Sequence, residues 1–351
     1  MRVDAPLTAH AARPLVADWW CPRPGWRARL LQPLSWLYRL LAAAHRSAYR
    51  NGWLRVTTAP RPLVVVGNLV VGGAGKTPAV LAIVQLLQRQ GHRPGVISRG
   101  HGRSARQAVV LVRSDSDAAA VGDEPLLIHR RSGAPVCVAA DRAAAAARLC
   151  QAHPELDVLV ADDGLQHHAL ARALDVIVID AAGAGNGLLL PAGPLRQAVP
   201  ERLPPRTVVL YNAERPSTHL PGYLGRRELA GAMPLEAWWR GEPSTRAVLH
   251  ALRGSPLLAA AGLARPEGFF TMLEAAGLQI ERLPLPDHHT FSTLPWPAAT
   301  RRVIVTEKDA VKLRPGRTGD AQVWVATLDF VPEPAFGTEL LRRLELPAPP
   351  P

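Results

Sequence analysis

The sequence of 351 residues predicts an α/β fold with a parallel sheet covered by helices on both faces, followed by a smaller C-terminal α/β domain. Three observations lead to this prediction. Short runs rich in Val, Ile and Leu alternate with helical patterns, as in strands that are buried on both faces. A glycine-rich loop joins the first such run to a helical segment. Hydrophobic residues make up 48% of the chain, which is enough for a large core and excludes a wholly disordered protein.

The strand-like runs define where a binding site is expected. They lie at 61–66, 95–98, 109–112, 135–138, 157–160, 175–179 and 207–210, with two more at 257–261 and 303–305. In open parallel sheets, ligands bind at the carboxyl ends of the strands. Polar motifs that follow these runs are therefore expected to share one site.

The N-terminal segment is basic and aromatic. Residues 1–60 contain nine arginines against two aspartates, a net +7 out of +12 for the chain, and five of the nine tryptophans. Residues 30–41 predict an apolar helix with Pro33 near its start and arginines on its flanks. This combination suits the surface of an anionic membrane. A helix packed on the domain with an arginine-coated face is the alternative, and no recognition motif supports nucleic-acid binding.

Other features indicate a protein that faces the cytosol. We find no run of 18 apolar residues and no secretory signal pattern in the sequence. The three cysteines lack the spacing of a zinc site or of a disulfide framework.

A glycine-rich loop, GNLVVGGAGKT, occupies residues 67–77. A strict G-x-x-x-x-G-K-[ST] motif would begin at position 70, where this chain has Val70, so the match is a variant. Glycines let backbone N–H groups surround phosphate oxygens, while the lysine meets the terminal phosphates and the threonine hydroxyl binds Mg²⁺. The predicted nucleotide-binding residues are Gly72, Gly73, Ala74, Gly75, Lys76, Thr77 and Pro78.

Two acidic pairs follow predicted strands. Asp162 and Asp163 come after the run at 157–160, where P-loop enzymes bring a carboxylate towards the Mg²⁺ that bridges the β- and γ-phosphates. A turn cap is the alternative. Asp123 and Glu124 precede a predicted helix, and helix capping requires only one of them. If this loop faces the phosphates, one carboxylate helps to hold the metal and the other accepts a proton from an attacking hydroxyl.

Two arginine-bearing loops also follow predicted strands. They are SRGHGR at 98–103 and PAGPLR at 191–196. Their arginines could clamp an anionic substrate or the transferred phosphoryl group. A solvated arginine loop is the alternative for each.

In their order along the chain, these motifs resemble those of the tetraacyldisaccharide 4′-kinase family of lipid A biosynthesis. The resemblance rests on GNLVVGGAGKTP (67–78), SRGHGR (98–103), GDEPLL (122–127), DDGLQH (162–167), PAGPLR (191–196), AAGLARPEGFF (260–270), DHH (287–289) and VTEKDAVK (305–312). It implies that ATP and Mg²⁺ are used to phosphorylate the 4′-hydroxyl of an acylated glucosamine disaccharide 1-phosphate. It also implies a monotopic enzyme at the cytoplasmic face of the bacterial inner membrane.

The resemblance implies roles for individual residues. It places Lys76 and Thr77 on the phosphates of ATP and on Mg²⁺, and makes Asp123 the catalytic base, paired with His288. The implied metal-site carboxylates are Glu124, Asp163 and Asp162, and the implied substrate contacts are Arg103, Arg196 and His167. The chain departs from the family pattern at three positions, with His101 for tyrosine, Leu165 for phenylalanine and Gln197 for glutamate.

Lysine is rare, with only Lys76, Lys308 and Lys312 in the chain. The motif VTEKDAVK lacks the spacer between lysine and aspartate that a guanine-reading element needs, so we reject guanine specificity. A structural ion pair or docking of the second domain is the favoured interpretation of the last two lysines. Two other protein classes stay open: a regulatory P-loop GTPase or metallochaperone, which would prefer GTP, and a non-enzymatic membrane scaffold.

We predict five segments along the chain. They are a membrane-associating helical segment (1–58), a P-loop kinase core (59–213), a linker (214–244), a smaller C-terminal α/β domain (245–343) and a disordered tail (344–351). Because Asp123 and His288 fall in different units, we expect their site to be a cleft that closes.

Overall fold

The computed structural model describes residues 18–21, 23–73, 75–104 and 108–346. Its helices are α1 (Trp26–Arg50), α2 (Lys76–Arg89), α3 (Ala118–Val121), α4 (Asp123–Ser132), α5 (Arg142–Ala152), α6 (Leu235–Arg240), α7 (Arg246–Ala251), α8 (Glu267–Ala275), α9 (Glu307–Ala310) and α10 (Pro334–Leu344). Residues 1–17 of the predicted N-terminal segment and 347–351 of the predicted tail lie outside the described residues.

The strands join in one sheet of 12 strands. They are β1 (Leu63–Gly67), β2 (Pro94–Ser98), β3 (Val110–Leu111), β4 (Val136–Val138), β5 (Val158–Asp162), β6 (Leu174–Asp180), β7 (Thr207–Asn212), β8 (Tyr223–Pro234), β9 (Leu257–Ala261), β10 (Ile280–Pro284), β11 (Arg302–Thr306) and β12 (Gln322–Pro332). Their order is β10-β9-β11-β12-β8-β7-β6-β1-β5-β2-β4-β3. The described pairs are parallel except β12 with β8 and β3 with β4.

Strand β1 shows why helices cover both faces of the sheet. Its residues are all buried, and alternate side chains point to opposite faces. Val64 and Val66 pack in one apolar cluster with Ile83 of α2, while Leu63 and Val65 pack in another with helix α5. The predicted parallel sheet with helices on both faces is confirmed.

The segment at 214–244, which the sequence predicts as a linker, contains β8 and α6. Strand β8 pairs in parallel with β7 and antiparallel with β12, so one hydrogen-bonded sheet runs through both halves of the chain. Most of its residues pair with β12, which lies far away in sequence, and this explains its weak local pattern. The division into domains stays a prediction.

Helix α1 begins before and ends after the predicted 30–41, and Pro33 lies inside it. Ser35 is buried and donates to the carbonyl oxygen of Leu189 (2.9 Å), and the Tyr38 hydroxyl donates to that of Arg196 (2.9 Å). One face therefore packs on the loop before β7. Among the described residues, no helix has the length and hydropathy that crossing a bilayer requires.

Candidate active site

The glycine-rich loop leads from β1 into the first turn of α2. Gly75 precedes that helix with a φ of +83°, in the left-handed region that favours glycine. A Cβ atom at this position would collide with the side chains of Asn212 and Arg227. Thr77 is buried in the first turn, Gly72 and Gly73 lie in the loop, and Ala74 lies outside the described residues. The loop thus ends at the positive end of a helix, where phosphate binding is favoured.

Lys76 is held at the centre of a polar network. Its Nζ lies 3.6 Å from Asp163 Oδ1 and donates to Asn68 Oδ1 at 3.3 Å. Arg196 pairs with Asp163 at 3.0 Å and also hydrogen-bonds Asn68. Burial acts to raise the pKa of Asp163, but the Lys76 and Arg196 cations outweigh it and hold that pKa below its usual value. The structure therefore joins the loop lysine to one predicted metal carboxylate and to one predicted substrate arginine.

Asp162 ends β5 and is buried. Its Oδ2 atom accepts a long hydrogen bond from Ser98 Oγ (3.5 Å), while Oδ1 has no donor among the residues that the structure describes. Burial and the neighbouring carboxylates of Glu124 and Asp163 raise the pKa of Asp162. A buried carboxylate oxygen without a donor, beside two further acids, suits a cation.

The set of donors fits Mg²⁺ better than a metal that needs a complete protein cage. No three His, Cys, Asp or Glu side chains form a metal cage within the part of the chain that the structure describes. Mg²⁺ commonly takes only one or two protein carboxylates, with phosphate and water oxygens completing its shell. The Thr77 hydroxyl with one or two of the predicted carboxylates Glu124, Asp162 and Asp163 would meet this requirement, because Mg²⁺ prefers oxygen donors.

Asp123 is buried at the start of α4 and forms a pair with His288. His288 Nδ1 lies 2.9 Å from Asp123 Oδ2, and Asp123 Oδ1 accepts the backbone N–H of Glu124 at 2.9 Å. Burial acts to raise the pKa of Asp123, but the hydrogen bond from His288 and the charges of Lys308 and Lys312 bring it below its usual value. The hydrogen bond to Asp123 outweighs burial and raises the pKa of His288. The two residues that the sequence places in different units are in direct contact.

Both C-terminal lysines lie at this pair. Lys308 Nζ is 3.2 Å from Glu124 Oε1 and 3.2 Å from Asp287 Oδ1. Lys312 Nζ is 3.9 Å from Asp123 Oδ2. The sequence interpretation of these lysines as ion-pair or docking residues did not place them at the Asp123–His288 pair. The sequence signal that could have found them is the rarity of lysine, because all three lysines of the chain lie in this region.

A cavity of about 190 Å³ lies between the glycine-rich loop and the C-terminal strands. Gly73, Gly75, Lys76 and Thr77 line one side of it, and Lys308 lines the other. Its apolar lining comes from Leu81, Leu127, Leu263, Ala264, Ala326 and Leu328. The cavity thus joins a phosphate-binding loop to apolar walls.

The remaining predicted substrate contacts differ in their surroundings. Arg103 is buried, and its guanidinium donates to the backbone carbonyl oxygens of Ala108 (2.7 Å) and Val138 (3.4 Å). His167 is half-buried, and burial, followed by nearby arginines, lowers its pKa. The structure therefore places Arg196 at the loop lysine, whereas it shows Arg103 bound to backbone. The substrate roles stay predictions.

Sequence reasoning missed several polar groups that shape the site. Asn68 receives hydrogen bonds from Lys76 and Arg196, and Arg142 donates to the backbone oxygen of Asp163 at 2.9 Å. Arg227 lines the cavity next to Gly75. Asn68 lies within the glycine-rich loop and could have been suspected, whereas Arg142 and Arg227 carry no motif.

A variant phosphate loop at the edge of a parallel sheet, with acids at the strand ends and a buried aspartate paired with a half-buried histidine nearby, defines a P-loop phosphotransferase. The chain belongs to the tetraacyldisaccharide-1-P 4′-kinase family (LpxK), whose family model matches residues 27–345. It is a kinase of that family.

Curated relatives support this membership along most of the chain. The chain is 55% identical to the tetraacyldisaccharide 4′-kinase of Methylibium petroleiphilum over 95% of its length and 92% of that protein. It is 54% identical to the tetraacyldisaccharide 4′-kinase of Leptothrix cholodnii over 90% of its length and 91% of that protein. These relatives span nearly the whole chain, including both halves of the sheet.

A solved structure has the same fold. It is described as the "apo" form of LpxK from Aquifex aeolicus in complex with ATP. The two structures align with a TM-score of 0.72 over 91% of this chain and 99% of the other, at 24% sequence identity. The fold predicted from the sequence is confirmed by this comparison.

Proposed function

We propose that the protein transfers the γ-phosphoryl group of ATP to the 4′-hydroxyl of tetraacyldisaccharide 1-phosphate, a step of lipid A biosynthesis. One observation carries the proposal: buried Asp123 pairs with half-buried His288 near a phosphate loop, and Lys308 lines the cavity beside that loop and contacts Glu124, the neighbour of Asp123. The names of the relatives and the family description support the substrate.

The donor nucleotide is held by the loop. Backbone N–H groups at Gly72, Gly73 and Gly75 and the start of α2 surround the phosphates, while the Lys76 ammonium balances charge on the transferred group. The apolar walls of the cavity receive the base of ATP. When nucleotide binds, Lys76 exchanges its contacts with Asn68 and Asp163 for phosphate oxygens. The loop thereby fixes the phosphoryl group for in-line transfer.

Mg²⁺ would be held by the Thr77 hydroxyl and by one or two of the carboxylates of Glu124, Asp162 and Asp163, with phosphate and water oxygens completing its shell, and it would neutralise phosphate charge during the transfer. Ser98 holds the other oxygen of Asp162.

Asp123 acts as the general base. The Asp123 carboxylate receives the proton of the 4′-hydroxyl, and the Nδ1–H of His288 donates to Oδ2 and orients the carboxylate. A depressed pKa keeps Asp123 ionised at neutral pH, so the base is present without prior activation. Arg196, Arg103 and His167 serve as the contacts for the anionic disaccharide.

The protein binds peripherally to an anionic membrane, at the cytoplasmic face of the bacterial inner membrane, through α1. Trp26, Leu30, Leu34, Leu37 and Leu41 recur at helical spacing and are exposed between 52% and 70%. The opposite face of the helix is the one held by Ser35 and Tyr38. An exposed apolar strip with arginines around it suits the headgroup level of the bilayer that holds the acylated substrate.

The test is ATP-dependent phosphorylation of the acylated disaccharide by the wild type and by Asp123→Asn. We expect the wild type to form the 4′-phosphate and the variant to lose about 10²- to 10⁴-fold in kcat, as for removal of a general base. Equal turnover by the variant would remove Asp123 from this role. A strong preference for GTP without sugar phosphorylation would favour a regulatory GTPase instead.

A further inference from the structure

Lys312 occupies a buried position between two carboxylates. Its Nζ lies 2.9 Å from Asp309 Oδ1 and 3.9 Å from Asp123 Oδ2, and only 8% of its side chain is exposed. Lys308 lines the nucleotide cavity, whereas Lys312 is absent from the described residues that line it. The contacts of Lys312 therefore lead to Asp123 and away from the phosphates.

Asp309 holds the Lys312 ammonium through an ion pair. It is fully buried, and its Oδ2 atom accepts the Thr306 hydroxyl (2.7 Å) and the backbone N–H of Gly262 (3.0 Å). This leaves Oδ1 for Lys312. A Cβ at Gly262 would lie 2.7 Å from that oxygen, so the absence of a side chain there makes room for the contact. A buried acid with both oxygens engaged holds the ammonium in one place.

The two carboxylate oxygens of Asp123 contact groups from different parts of the chain. Oδ1 is bound by the backbone of its own helix, whereas Oδ2 faces His288 and Lys312, which both come from the C-terminal half. The ammonium is thus placed to keep Oδ2 directed at the imidazole. An arginine in this confined space would bring a planar fork in place of a compact charge.

We infer that Lys312, held by Asp309, is a positioning residue that fixes the Asp123 carboxylate against His288 for proton transfer. This inference rests on the proposed kinase function. Lys312 touches neither nucleotide nor acceptor and acts through Asp123. Its loss lowers the rate of the chemical step and leaves the affinity for ATP unchanged.

The experiment is a double-mutant cycle with Lys312→Met and Asp123→Asn, measured as kcat and KM for ATP in the phosphorylation of the acylated disaccharide. We expect Lys312→Met to lower kcat by about 10- to 100-fold in the wild-type background, as for misplacement of a catalytic group. The KM for ATP should stay within about twofold of the wild-type value, because the lysine is not among the described residues that line the nucleotide cavity. In the Asp123→Asn background, the same change should cost less than about twofold, since the group it positions is already gone.

Two further variants serve as a second test and as a control. Asp309→Asn keeps the shape of the anchor but removes its charge, so it should reproduce the loss of kcat even if Lys312→Met folds poorly. Arg301→Met removes a cation of the C-terminal half from an exposed ion pair with Asp320 and should leave kcat unchanged.

The outcomes separate the two proposals. An equal fractional loss in both backgrounds, or a rise in KM without a fall in kcat, would overturn the positioning role of Lys312. A wild-type protein that does not phosphorylate the disaccharide would overturn the proposed function itself.

Discussion

The Asp123–His288 pair links protonation to folding through two opposite pKa shifts. The pKa of Asp123 lies below its usual value and that of His288 above it. Because the pKa of Asp123 is lower in the folded protein, its charge stabilises the fold fully at pH values above the pKa of an unfolded aspartate, about 3.9. This contribution is lost as the pH falls through the folded pKa. A raised imidazole pKa stabilises the fold fully below about 6.5, and this contribution is lost as the pH rises through the folded pKa.

We therefore predict that His288→Gln destabilises the protein most between about pH 4 and 6.5. The difference in the free energy of unfolding between wild type and variant should shrink as the pH rises past the folded pKa of His288. Urea denaturation at a series of pH values measures it. A difference that stays constant from pH 5 to pH 9 would show that the pair does not carry the charge assigned to it.

Sequence analysis predicted the residues of the site that lie in short local motifs. Lys76 and Thr77 open the helix after the glycine-rich loop, Asp162 ends β5 and Asp163 follows it, and parallel strands bring such positions to one edge. Lys312 was not assigned to the site because its partner, Asp123, lies far away in the chain. Such a contact depends on how the two halves pack, which no local pattern encodes.

Helix α1 has one face packed on the protein and one face exposed, and the sequence predicts this only in outline. The apolar and aromatic pattern indicated a surface helix, but only the packing of Ser35 and Tyr38 shows which face is covered. The strip formed by Trp26, Leu30, Leu34, Leu37 and Leu41 is left exposed.

We predict that replacing Leu37 and Leu41 together by Glu weakens binding to vesicles that contain anionic lipid by more than about tenfold. Each change removes apolar area from the interface and adds a charge that anionic headgroups repel. Co-sedimentation with such vesicles measures the effect. Val331→Glu, at an exposed position of β12, is the matched control and should bind like the wild type. Unchanged binding of the double variant would contradict a membrane role for this strip.

Strand β8, like β10 and β12, is an element that sequence analysis did not predict. It lies in the segment expected to be a linker and has exposed residues along its middle. It pairs with the preceding strand β7 at its start and with the distant strand β12 along most of its length, so its strand character comes largely from long-range hydrogen bonds and not from local alternation.

At the scale of the whole molecule, the two halves are also joined by an ion pair between a half-buried arginine and a buried glutamate. Arg131 at the end of α4 lies 2.6 Å from Glu307 Oε2, and the Trp238 indole donates to Glu307 Oε1 at 3.1 Å. Burial raises the pKa of Glu307, and Arg131 acts against this. The carboxylate thus depends on a partner from the other half of the chain.

We predict that Arg131→Met lowers the free energy of unfolding by about 3–5 kcal/mol at pH 7, because it leaves a buried carboxylate without its partner. Urea denaturation checks this value. Arg301→Met, which breaks only an exposed pair, should have a small effect. A loss from Arg131→Met no larger than that of the control would show that Glu307 is not dependent on the arginine.

The scarcity of lysine has a practical consequence for chemistry on the intact protein. All three lysine side chains lie in or beside one cavity and are mostly shielded, with exposed fractions of 13% for Lys76, 16% for Lys308 and 8% for Lys312. An amine-selective reagent therefore has, besides the chain's own α-amino group, only this cavity to label. The extent of labelling, measured by absorbance or by mass spectrometry, therefore reports whether the cavity is filled. The 38 arginines do not react with such a reagent.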